Sequence, residues 1–165
     1  LKQAAKTMNF LTEHGISSYG ELESKLTAVS ARRDTAHAEI KRIESRSAEL
    51  ALVMKHAGTY RQLKPLYERY RKSNDKEKFL RGHESEIILF EAAARELKRL
   101  GTVPLPTTES MKTELANLNA EKERLLAEYK AARAEAQEYE TVKQNVDALL
   151  TVAKEQEQQR RHELE

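Results

Sequence analysis

The stretch LESKLTAVSARRDTAHAEIKRIESRSAELALVM, residues 22–54, decides the fold. Within it Leu22, Leu26, Val29, Arg33, Ala36, Ile40, Ile43, Ser47, Leu50 and Met54 recur at alternating spacings of four and three. A helix turns once in ~3.6 residues, so this rhythm gathers the mostly apolar set on one stripe that a partner helix must cover. A strand would instead alternate at every second residue. A helix with an unsatisfied a/d seam demands a second one.

The second seam runs Met111, Leu115, Leu118, Lys122, Leu125, Tyr129, Ala132, Ala136, Tyr139, Lys143, Val146 and Leu150 with the same rhythm. An antiparallel return sets Leu22 by Leu150, Leu26 by Val146, Ala36 by Ala136 and Met54 by Leu118. The same register sets Ile43 by Tyr129 and Arg33 by Tyr139, with the Arg stem along the ring and its charge in water. Arg33, Ser47, Lys122 and Lys143 at seam positions specify register at some cost in stability. Alternatively they mark gaps where the first helix docks. An intramolecular hairpin and a swapped dimer satisfy the same heptads.

Composition agrees with helices. Charged residues make up 34% and apolar ones 39%, with five glycines, three prolines and no tryptophan; such a chain has a thin core and few turns. The chain has no cysteine, which excludes disulfides and thiolate metal sites and fits a reducing compartment, with the cytoplasm expected. No apolar run approaches the ~20 residues that span a bilayer. The first residue is Leu1 and the last two are Leu164-Glu165; a segment of a longer polypeptide ending in a cloning scar is expected.

The expected architecture is all-α: one elongated antiparallel coiled-coil hairpin with a short N-terminal helix and a smaller helical tip. The short helix covers residues 1–14 and stops at His14-Gly15, where glycine takes the left-handed cap conformation. A long helix covers 18–56, opened by the capping-box spacing of Ser18 and Glu21, whose side chain returns to the Ser18 amide. The tip covers 59–100, with Pro65 kinking or restarting its first helix, a turn near 75–81 and Asn74 as cap of the next segment. The second long helix covers 107–152, and residues 153–165 fray. Gly15, Gly20, Gly58, Gly82 and Gly101 are read as helix ends or starts.

Chemistry is sparse. His14, His37, His56, His83 and His162 never adopt a metal-binding spacing, and no phosphate loop, nucleophile elbow or calcium loop occurs. Tyr60, Tyr67 and Tyr70 fall at helical spacing beside Leu63 and Leu66, a packing stripe rather than a set of nucleophiles. No catalytic residue, cofactor, metal, membrane or small-molecule ligand is expected. The informative signal is charge. The chain carries 29 basic and 27 acidic residues, a net of +2, but the tip concentrates cations: Arg61, Lys64, Arg69, Arg71, Lys72, Lys76, Lys78 and Arg81 face only Glu68, Asp75 and Glu77. Cations interleaved with aromatics neutralise phosphates and stack on bases, so these eight are the candidate nucleic-acid contacts. The bland alternative is a solvated face balanced by the acid-rich residues 108–159, within the chain or across a homodimer.

The tip residues Tyr60, Tyr67, Tyr70-Arg71-Lys72-Ser73, Phe79, His83-Glu84, Glu86-Ile87 and Ala92-Ala93-Ala94 form a pattern. With Asn9-Phe10-Leu11, Gly15-Ile16, Ser17-Ser18-Tyr19 and Glu21-Leu22, it resembles the C-terminal helical region of relaxase/mobilization nucleases from mobile elements of gut Firmicutes. The resemblance implies an accessory part of a conjugative DNA-processing protein, whose partners are DNA and other relaxosome or transfer proteins. The nicking domain of such a protein carries a tyrosine and a histidine-bound metal. This chain has no histidine cluster, so no catalytic residue carries over. The rival expectation is a coiled-coil adaptor that joins or dimerises proteins without binding nucleic acid.

Overall fold

A computed structural model describes residues 2–165. The fold is all-α: α1 is Lys2–Glu13, α2 Tyr19–Lys72, α3 Lys76–Arg99 and α4 Thr108–Leu164, with no strand among the described residues. The chain divides into two compact units, Leu1–Ile40 with Arg124–Glu165, and Lys41–Glu123.

In the first unit α1 ends in a Schellman turn. The Ile16 amide donates to the Leu11 carbonyl and the Gly15 amide to Thr12, with Gly15 at φ +63°; glycine reaches this left-handed region without a Cβ clash. At the start of α2 the Glu21 amide donates to Ser18 Oγ at 3.1 Å. The return bond differs from the expected capping box: the Glu21 carboxylate accepts from the amide of Ser17 at 2.8 Å, not from Ser18. That bond, with a second from the Ser17 hydroxyl, holds the Glu21 carboxyl below its ordinary pKa.

Helices α2 and α4 run antiparallel within this unit. Tyr19 donates its hydroxyl proton to Asp147 at 2.6 Å, Arg32 meets Glu135 at 3.3 Å, and the His37 and Tyr129 rings lie 5.7 Å apart, so one number falls as the other rises. The core joins Phe10, Leu22, Val29, Ala136, Tyr139 and Val142, with Leu11, Ile16, Leu26 and Val146 packed around it. Ala36, Ala132 and Ala136 are also buried, small side chains that let helix backbones approach. The register departs from expectation. Tyr129 faces His37 instead of Ile43, and Tyr139 takes the edge of Phe10 at 5.1 Å where Arg33 was expected. Arg33 turns to its neighbour Asp34 at 3.0 Å. The reason is α1: Phe10 and buried Thr7 dock on α4, Thr7 Oγ1 accepting from Asn145 at 3.2 Å, and the packing of Phe10 on Tyr139 occupies the space the register had assigned to Arg33. Leu150, expected in the seam, is 49% exposed.

The second unit continues both helices. Ile43, Leu50, Val53 and Ala57 of α2 and Met111 and Leu118 of α4 are buried, flanked by Arg46 with Glu114, Arg42 with Glu121 and Lys122 with Glu44. The long helix was expected to stop near 56, with a separate tip helix from 59 that Pro65 kinks or restarts; α2 instead runs as one helix through Gly58 and Pro65 to Lys72. Proline costs a helix interior ~3 kcal/mol, chiefly one lost amide bond. Packing on both sides of the site opposes that cost: Tyr60 and Tyr67 stack on buried Phe90 of α3 at 4.9 and 4.3 Å.

Asp75, not Asn74, caps α3, its side chain accepting from the Lys78 amide at 3.1 Å. Helix α3 starts at Lys76, within the expected turn, and departs from helical geometry at His83 (φ −136°, ψ 26°). It closes in a second Schellman turn, Thr102 to Leu97 and Gly101 to Lys98, with Gly101 at φ +68°. Thr107 then caps α4, its Oγ1 accepting from the Ser110 amide at 3.1 Å. The expected frayed tail is instead helical to Leu164; its Ala, Glu, Gln, Lys and Arg residues are strong helix formers, and Arg161 meets Glu157 one turn away.

Candidate nucleic-acid interface

The basic tip lies in the second unit, where α2 ends and α3 begins. Ser73 shapes the turn between them, its amide bonded to the Tyr70 carbonyl and its hydroxyl accepting from the Asp75 amide at 3.2 Å. Arg61, Lys64, Arg69, Arg71 and Lys72 come from α2, and Lys76, Lys78 and Arg81 from α3. All eight are exposed. Among the described residues none of the eight makes an ion pair, whereas Arg42, Arg46 and Lys122 of the same unit each meet a glutamate.

Beneath the cations lies a ladder of rings. Tyr60, Phe90 and Tyr67 stack at interplanar angles of 23° and 25°; Tyr70 follows at 5.9 Å from Tyr67, Phe79 at 6.0 Å from Tyr70, and His83 at 4.6 Å from Phe79. Lys64 lies 5.8 Å over the Tyr60 ring and Arg69 5.7 Å over Phe79. Rings beneath cations hold the stems in place and leave the charged heads toward solvent.

The eight are not equivalent. Arg61 donates to the carbonyl of Pro106 and, at 2.9 Å, to the hydroxyl of Thr108, so it ties the connector before α4 to α2. Lys64 and Arg71 line the groove between α2 and α3 above Tyr60, Tyr67 and Phe90, and that groove also holds Arg95 and Lys98 of α3. Reading the sequence as a basic stretch ending at residue 81 missed these two. The signal available was helical spacing: Arg95 and Lys98, three apart, flank buried Leu97 and half-buried Ala94 on the face toward α2. Glu68 and Glu91 line the same groove and temper its charge.

His83 sits at the break in α3 with Nδ1 enclosed and without a hydrogen-bond partner, 3.8 Å from the Glu86 carboxylate. Among the described residues no group of three or more His, Cys, Asp or Glu side chains is placed to hold a metal, and no helix is long and apolar enough to cross a membrane. The arrangement can attract an anionic polymer and set its phosphates over an aromatic surface.

No protein-family model, curated protein or solved structure matches the chain.

Proposed function

We propose that this chain is a non-catalytic helical accessory region of a conjugative relaxase, which contacts DNA through the basic tip and helps organise the relaxosome. One observation carries the reading: the tip's eight cations are exposed and, among the described residues, make no ion pair, although glutamates pair with Arg42, Arg46 and Lys122 in the same unit. A surface serving only solubility would gain by interspersing acids, and unpaired cations above rings are what a phosphate backbone requires. The relaxase setting rests on the sequence resemblance. On this reading the chain works in the cytoplasm, beside its DNA.

Gel-shift titration of the chain with single- and double-stranded DNA across a salt series tests it. Binding should weaken steeply with salt, and the combined Arg69→Glu, Arg71→Glu and Lys72→Glu variant should flatten the log–log slope by about 3, roughly one per lost phosphate contact. Absence of binding to either DNA at low salt overturns the reading.

The adaptor alternative draws on a different region. Leu149, Leu150 and Val152 of α4 are about half exposed. It predicts protein association that ignores the tip substitutions but fails in Ile40→Asp or Leu118→Asp.

A further inference from the structure

Beside the basic tip, still within the second unit, is a cleft of different chemistry. Its floor and walls are Tyr60 of α2, Ala94 and Leu97 of α3, and Val103 and Leu105 of the connector, with Lys98 at the rim. Among the described residues no acidic side chain lines it. Its volume, about 530 Å³, falls within the range of ligand and side-chain pockets.

Two devices hold the cleft open. The Schellman turn at Gly101 is locked by Thr102, whose amide and hydroxyl both donate to the Leu97 carbonyl, the hydroxyl at 2.9 Å. Arg61 clamps the far side of the connector through Pro106 and Thr108. Val103, between these two anchors, is 77% exposed. It lines the cleft with Leu97 and Leu105 while presenting most of its apolar surface to solvent.

The rim supplies the second half of the signature. Lys98, and Arg95 and Lys64 in the adjoining groove that shares Tyr60, Ala94 and Lys98 with the cleft, are exposed and make no ion pair among the described residues; Glu68 and Glu91 line that groove too, and with Arg71 its cations outnumber them four to two. We infer that this cleft docks a partner protein's peptide segment that presents a large apolar side chain beside acidic residues. The apolar side chain fills the space between Leu97, Val103 and Leu105, and the carboxylates meet Lys98 and its neighbours. Neither element alone suffices: a nucleic acid offers negative charge but leaves the apolar walls wet, and an uncharged apolar group leaves the cations unpaired.

The test uses the intact chain and a fluorescein-labelled decapeptide of leucines interspersed with aspartate and glutamate, read by anisotropy. Two control peptides replace every leucine with serine or every acid with lysine. The acidic, leucine-bearing peptide should bind, and both controls should bind at least ~10-fold more weakly. Lys98→Glu and Val103→Ser, exposed positions whose helix content circular dichroism will verify as unchanged, should each weaken binding ~5–10-fold. Charge reversal of Arg69, Lys72 and Lys76, none of which lines the cleft or the adjoining groove, should leave it within twofold, which separates this site from the DNA contact. Equal binding of the serine peptide, or indifference to Val103→Ser, overturns the proposal. So does displacement of the peptide by stoichiometric DNA, which would make the cleft part of the nucleic-acid surface. A concentration-dependent rise in mass that Val103→Ser abolishes would also overturn it, by assigning the cleft to a second copy of the chain.

Discussion

Arg46 and Arg71 stand on the same helix in surroundings of opposite kind. Arg46 donates from Nε at 2.7 Å and Nη2 at 3.1 Å to Glu114, and from Nη1 at 3.1 Å to Glu49. Arg71 is exposed and meets no carboxylate within ion-pair distance among the described residues. The difference lies in what faces α2. Across the zipper α4 presents Glu114 and Glu121; across the tip the first six residues of α3 present Lys76, Lys78 and Arg81 against Glu77 alone. A net charge of +2 therefore conceals a spatial difference: Arg42, Arg46 and Lys122 are paired across the two helices, whereas among the described residues the eight cations where α2 gives way to α3 make no ion pair. Charge distribution, more than its total, carries information about partners.

The sharpest way to break this contrast is through the core under the paired section. Ile43 is fully buried, so Ile43→Ala should cost about 2–5 kcal/mol in urea unfolding, whereas Arg71→Ala at the tip should stay within ~0.5 kcal/mol. Comparable losses would mean that the tip cations are structural. Next in size is DNA affinity. The triple reversal of Arg69, Arg71 and Lys72 should weaken it at least ~100-fold at low salt, while Arg46→Glu, in the paired section, should leave the salt slope unchanged; equal effects would dissolve the distinction.

A smaller effect separates paired from unpaired charge by pH. The bonds from Arg46 hold the Glu114 carboxyl below its ordinary pKa. A lowered value in the folded state means a contribution present above the unfolded pKa and lost as pH falls through the folded one. Both side chains are 39–40% exposed, so the pair is worth only ~0.2–1 kcal/mol, read from a double-mutant cycle with Arg46→Ala and Glu114→Ala at neutral and acid pH. No such acid-dependent coupling should exist between Arg71 and any glutamate. The smallest effect is spectroscopic and lies in the first unit. Tyr19, hydrogen-bonded to Asp147, has its pKa pushed up from 10.0 to about 12. Ultraviolet titration should show two phenols ionising late, Tyr19 and the buried Tyr139, and Asp147→Asn should return one of them toward the others. Because the folded pKa is the higher, any linked stability is complete below pH 10 and fades as pH rises through the folded value.

Much of this molecule is written locally. Alternating four-and-three spacing is a property of neighbouring residues, so the all-α architecture is legible from residues 22–54 and 111–150 alone. Gly15 and Gly101 mark helix ends because only their backbones adopt positive φ at no steric cost. Asn74 and Asp75 could each cap α3 on chemistry, and the course of the Ser73 turn selects Asp75. Gly58 and Pro65 look like stops in isolation, yet packing on Phe90 from either side keeps α2 continuous.

The candidate interface divides in the same way. Its eight cations could be found by counting charge along the chain, but Arg95, Lys98 and the cleft at Val103 could not, because α3 folds back beside α2 only once the Ser73 turn and Phe90 have brought it there. Sequence by itself determined that the chain forms long paired helices with a cationic, aromatic middle, since periodicity and composition act through neighbours. Only the tertiary structure decided the register, the docking of Phe10 on Tyr139 and which cations stay unpaired. Those outcomes depend on which distant side chains compete for one space, and a heptad pattern leaves that competition open.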